Sequence, residues 1–341
     1  MAIWLPAAIA AEGAEPPLEV LFAKQNMLVA GKLLEINPSG RLVFAMGERL
    51  SGQTTPPRRI DLRVPKQALA QAKIGTRYVF GYTLYTADMV KREMLRLNPA
   101  GPVMLMALGI EPAMFEDSRQ LRSILRAGNE EEGAANEASR SDRERSHEQR
   151  RLWQRLMKAL SGKDRALQNL AASQIVMDPE FRNLADKKDQ EAFRKLALDS
   201  QAWPSARRTL LVGAWRQPDV IGDWGHDAAQ QILETTPIGG YASMAQDPSE
   251  LVLAAFNLLA ATDSAMTPEL VSRWIESETP LLAEKALLTI RQFEPTREHA
   301  AIRIALAKPD LPAQTRKFLD DHLRRLNLLD ARLREQKEGS H

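Results

Sequence analysis

Five histidines, no cysteine and one tight Asp/His grouping bound the chemistry open to this 341-residue chain. The grouping is Asp223, His226 and Asp227 in the segment Gly222-Asp223-Trp224-Gly225-His226-Asp227. At i, i+3 and i+4 these side chains share one helical face, and two carboxylates with an imidazole are metal-ligand types. The competing reading has Asp223 capping a helix and His226 in its first turn, because no second histidine is near in sequence. His299 and His322 sit among charged helical positions, and His341 is the final residue. With no cysteine there is no thiolate nucleophile, disulfide or cysteine-held zinc or iron–sulfur centre.

Hydroxyl and phosphate chemistry find no better setting. The chain has no GxSxG, HExxH, phosphate-loop or GxGxxG pattern. Asp320-Asp321 lies in a stretch rich in Arg and Lys, where ion pairing accounts for it. A non-enzymatic protein without cofactor or metal is therefore expected, with an unrecognised hydrolase as the second alternative.

The first alternative is binding of nucleic acid by the N-terminal third. Residues 15–98 hold 13 Lys/Arg against 7 Asp/Glu, while the whole chain is only +2. Arg58, Arg59 and Arg63 lie along one strand, and Tyr78, Phe80 and Tyr82 share a face of the next. Basic side chains beside aromatic platforms would suit single strands. If the three aromatics face inward they are core, and that reading is favoured.

These residues must be positioned by two kinds of element. Leu18–Ala23, Met27–Ile36 and Arg41–Leu50 are short apolar runs, and Asn37-Pro38-Ser39-Gly40 is a hairpin turn. Arg59–Val64 alternates with period two, which puts Ile60, Leu62 and Val64 on one face. Gly75–Thr86 is another strand, with Gly81 as a bulge or barrel bend. Five strands in so short a span predict a small antiparallel barrel, OB-like or SH3-like, or a compact sandwich. Residues 99–125 are interrupted by Pro and Gly and show no clear pattern until a short helix at 119–125. Residues 127–147 (AGNEEEGAANEASRSDRERSH) are small or charged, predicting a flexible linker.

From residue 148 the periodicity is helical. Leu152, Leu156 and Leu160 recur at i, i+4, i+8. Pro204, Pro248, Pro280 and Pro312 follow at spacings of 44, 32 and 32 residues, each near the start of a new helix. Proline costs no hydrogen bond there, and a fixed period of this size predicts stacked helical pairs. Pro204–Trp215 (PSARRTLLVGAW) and Pro280–Phe293 (PLLAEKALLTIRQF) place Ala four to five residues before a Leu pair. In this they resemble the second helix of HEAT-type repeats, over about residues 150–335. The resemblance implies an all-α solenoid that binds partners through its surface, with no catalytic residues. The family's charge ladder would be Asp199 with Arg207 or Arg208, and Glu278 with Lys285.

The organisation expected is thus 1–14 as a truncated signal peptide or tail, 15–126 as a β-rich domain, 127–147 as linker and 148–335 as helical repeats. Met1–Ala11 is apolar and ends in Ala8-Ile9-Ala10, a small-x-small cleavage pattern without a basic n-region. A periplasmic or secreted location is the first expectation and a cytoplasmic one the alternative. No run approaches the roughly 20 apolar residues of a membrane span. Another protein is the expected partner. The candidate binding residues are Arg207, Arg208, Trp215, Trp224 and His226, around the point where the proline spacing stretches to 44 residues.

Overall fold

The computed structural model describes residues 15–85, 101–106, 111–136, 142–241, 244, 246–261 and 267–338. The expected signal segment, 1–14, lies outside them. The chain divides into two compact units, Met1–Asp189 and Gln190–His341.

The first unit opens with helix α1 (Pro17–Phe22), where a short strand was expected. Pro17 occupies the first helical turn, and Leu18 and Leu21 are buried at i and i+3. Strands β1 (Asn26–Asn37), β2 (Arg41–Ser51), β3 (Arg59–Arg63), β4 (Arg77–Tyr85), β5 (Gly101–Met104) and β6 (Met114–Glu116) follow. The order is β1-β2-β3-β5-β4, closed by pairing of β4 back onto β1, with β6 added to β4. The closure between β3 and β5 is parallel, at Arg63 and Val103; the remaining pairings are antiparallel.

The β1–β2 turn forms as its residues dictate. The Ser39 N–H donates to Asn37 Oδ1 at 2.9 Å, and Gly40 has φ 92°, which an L side chain resists. Register shifts fall in β1–β2, one of them beside Gly31, rather than at Gly81. A Cβ on Gly31 would sit 2.7 Å from the Ala45 carbonyl oxygen, so this glycine permits the close strand approach. Helix α2 (Lys66–Gln71), between β3 and β4, sends Ala68 into the barrel interior.

Among the described residues the unit continues with α3 (Arg119–Asn136), α4 (Asp142–Leu160), α5 (Arg165–Met177) and a 3-10 turn (Pro179–Phe181). They overturn the linker reading, since 127–136 ends α3 and 142–147 begins α4; residues 137–141 lie outside the described ones. The small residues permit packing here: a Cβ on Gly128 would meet Leu18 of α1 at 2.8 Å. α1 is also tied to α5, its Leu18 N–H donating to Gln174 Oε1 at 2.9 Å. These contacts hold α3–α5 with the barrel, so the division falls at Asp189 and not near 148.

Helix α6 (Lys187–Leu198) runs across that division. The second unit continues with α7 (Pro204–Arg216), α8 (Pro218–Ile221), α9 (Gly225–Thr235), α10 (Ser249–Ala261) and α11 (Pro268–Ser272). A 3-10 turn (Arg273–Glu276), α12 (Pro280–Phe293), α13 (Glu298–Leu306) and α14 (Ala313–Glu338) complete it. Pro204 and Pro280 occupy the first turns of α7 and α12. The carbonyls of Pro248 and Pro312 accept the first helical bonds of α10 and α14, from Val252 and Arg316. These four proline-opened helices pack in consecutive order, α7 on α10, α10 on α12 and α12 on α14. Thr267 caps α11 by accepting from the Leu270 N–H at 3.2 Å. No described helix is long and apolar enough to cross a membrane.

Candidate functional site

The barrel uses its aromatics internally. Tyr78, Phe80 and Tyr82 are all buried, and Phe80 stacks on Phe44 with ring centroids 4.1 Å apart. The Tyr78 hydroxyl accepts from the Lys73 N–H at 3.0 Å. Outside, Arg59 pairs with Glu35 and Arg41 with Asp61, each at 2.7 Å, so two of the outward arginines are met by carboxylates. Where β4 meets α3, Asp117 receives Arg122 at 2.7 Å and Arg77 at 2.7 Å. The Arg122 hydrogen bond is foremost in holding the Asp117 carboxyl below its usual range.

The helical unit is different. Between the 3-10 turn, the C-terminal half of α12 and α13 lies an open groove of about 420 Å³. Val271, Ile275, Ile290, Phe293, Ala301 and Ile304 supply its apolar surface. Phe293 remains 44% exposed and Ile304 65% exposed, so side chains of large transfer value face water here. Ala300, Ala301 and Ala305 of α13 contribute only methyl groups to the lining.

Every charged group at the rim is already engaged. Arg273 donates to the carbonyls of Glu234 and Thr236 and lies over the Trp274 ring, 5.5 Å from its centroid. Glu276 holds Lys308 at 2.7 Å, and Arg297 pairs with Glu294. Such a site offers mainly apolar contact, with Ser272 and Thr289 also in its lining.

One titratable cluster lies outside the groove lining. Glu298, at the start of α13, receives Arg291 of α12 at 2.6 and 2.8 Å and meets His322 of α14 at 2.9 Å. Its side chain is 4% exposed. Burial opposes its charge, but the hydrogen bonds and charges of Arg291 and His322 prevail and hold its carboxyl below the usual range. It thereby clasps three helices together.

None of the five residues singled out from the sequence lines the groove. Trp224 is buried, and its indole N–H donates to the Ile221 carbonyl at 2.9 Å. Gly222, at φ 114°, makes room for it, because a Cβ there would lie 2.6 Å from the indole. The tryptophan therefore plugs the irregular stretch from within and is not an exposed anchor. Arg207 is buried too, donating to the Ala197 carbonyl at 2.9 Å. Arg208 is half-buried and faces Glu250 of α10 at 4.0 Å, and Trp215 is half-buried further along α7. His226 stands 4.0 Å from Asp227, but no group of three or more His, Asp or Glu among the described residues is placed to hold a metal.

The expected Glu278–Lys285 ladder pair does not form. Glu278 instead accepts from the backbone N–H groups of Gly240 at 2.8 Å and Tyr241 at 2.6 Å, pinning the loop that follows α9. The groove residues escaped sequence reading because their apolar spacing is that of core. The visible signal was Ala300-Ala301 on a helix whose next turn carries Ile304. Comparison with protein-family models, with curated proteins and with solved structures gives no match for the chain.

Proposed function

We propose that this chain is a non-enzymatic binding protein whose helical unit holds another protein. The open groove carries the reading: large apolar side chains face water at a site whose charges are all satisfied internally. Such a surface gains free energy only when another molecule covers it. The serial packing of the four proline-opened helices supports a HEAT-like solenoid as the scaffold. An exported location is part of the same proposal, tested by the mature N-terminus, with processing expected after Ala10 or Ala14.

The experiment is site-specific photo-crosslinking from position 304 of the full chain in its native cells. A discrete protein adduct, lost when Ala301→Trp fills the groove, is the expected result. No adduct at 304 overturns the proposal.

The barrel gives the second reading its one favourable observation. A 1-2-3-5-4-1 strand order with a helix between strands three and four is the arrangement of OB-type barrels, many of which bind oligonucleotides. Buried aromatics and paired arginines count against it. Salt-sensitive oligonucleotide binding by the full chain would favour this reading, and none at low salt ends it.

A further inference from the structure

We propose that the solvent-facing stripe of α12 is a second docking surface, occupied by an acidic amphipathic helix of a protein partner whose carboxylate pairs with Lys285. The stripe is Leu281, Lys285, Leu288 and Gln292, at i, i+4, i+7 and i+11 of one helical face. Leu281 is 51% and Leu288 47% exposed, and Lys285 is half-buried between them.

What distinguishes this stripe is a cation without a partner. Among the described residues no carboxylate pairs with Lys285. Glu278, its expected partner, is committed to the loop at Gly240 and Tyr241. Glu284 is exposed but adjacent in sequence, and neighbours at i, i+1 do not face each other on a helix. On α10, the neighbouring helix, Glu250 faces Arg208. Burial accordingly pushes the Lys285 ammonium down from its ordinary value, with no charge nearby to oppose it.

A lysine stem lying over apolar surface is commonplace. Here, however, the leucines at both ends stay uncovered, and the charge between them is partly stripped of water. The chemistry that satisfies all three is a carboxylate flanked by two apolar side chains, which a helix presents at i, i+3 or i+4 and i+7. A second copy of the chain meeting face to face would set Lys285 against Lys285, which disfavours that occupant.

The proposal rests on the helical unit being a protein-binding module; crosslinking from position 304 tests that, and a charge swap tests this stripe alone. The probes are three fluorescein-labelled amphipathic helical peptides carrying Leu-x-x-x-Glu-x-x-Leu, or Gln or Lys in place of Glu. Fluorescence polarisation against the full chain is expected to show the Glu peptide binding about tenfold tighter than the Gln peptide, as a charge-assisted hydrogen bond implies. Lys285→Glu is expected to reverse the order in favour of the Lys peptide. Lys285→Met, which removes the charge without burying another, should level the three peptides while the helical circular dichroism is kept. Ala301→Trp should leave all three affinities unchanged. Equal binding of the three peptides to the native chain, an order unchanged by Lys285→Glu, or loss on Ala301→Trp would overturn the stripe. So would no binding by any peptide.

Discussion

The barrel and the helical unit dispose the same kinds of residue differently, although Leu34 and Ile74 of the first unit also stay exposed. In the barrel Phe44, Phe80, Tyr78 and Tyr82 interlock, and outward Arg41 and Arg59 meet the carboxylates of Asp61 on β3 and Glu35 on β1. In the helical unit Leu281, Leu288, Phe293 and Ile304 face water, and Lys285 faces no carboxylate among the described residues. A closed barrel has an inside into which alternating side chains must go. A series of helices packed side by side leaves a face of each free, and what stands there is available to a partner. On the proposal above, binding falls to the helices.

The comparison breaks most visibly if core and surface substitutions cost alike. Phe80→Ala should destabilise the barrel by about 4 kcal/mol, read by urea titration and by loss of amide protection in the strands. A cost below about 1 kcal/mol would mean that the aromatics are not the barrel's core. Next comes the clasp. Glu298→Gln should cost about 2 kcal/mol, because Arg291 and His322 lose their shared carboxylate where little water can replace it. The sign with pH follows from the lowered carboxyl. The contribution is whole above the ordinary glutamate value of about 4.3 and is lost as pH falls through the lower folded value. Glu298→Gln should flatten that acid limb in thermal melts across the range.

Gly222→Ala should cost about 2 kcal/mol, from positive φ and from displacement of the Trp224 ring, seen as a red-shifted indole emission. An unshifted emission would return Trp224 to the list of exposed anchors. Thr267→Ala should cost about 1 kcal/mol, the value of one helix cap, by the same urea titration. Ile304→Ala should change stability by no more than about 0.5 kcal/mol. It should still weaken partner binding, which separates a side chain kept for recognition from one kept for folding.

Much of the local structure was legible. The alternation of Arg59–Arg63 appears as predicted, with Ile60 and Leu62 buried, and Leu152, Leu156 and Leu160 line the buried face of α4. The candidate site was much less so. Arg207 and Trp224 were candidates for their place around the stretched proline spacing, although burial is the default for a tryptophan among packed helices; in the fold one meets a carbonyl and the other a glycine.

What the sequence determined by itself is what neighbours along the chain can enforce. Asn37-Pro38-Ser39-Gly40 favours a turn, Pro204 and Pro280 suit a first helical turn and not a helix interior, and period two or 3.6 selects strand or helix. What only the tertiary structure decided depends on partners far along the chain. Leu18–Phe22 became helix because α3 and α5 receive it, and 101–104 became the closing strand because β3 and β4 offered it two edges. The chain past residue 126 became helix, and Gly128 lets α1 approach it there. Ile304 and Leu288 carry the same apolar pattern as the core beside them. Only the packing of their neighbours left them in water, because burial is a property of what surrounds a side chain and is not written in its type.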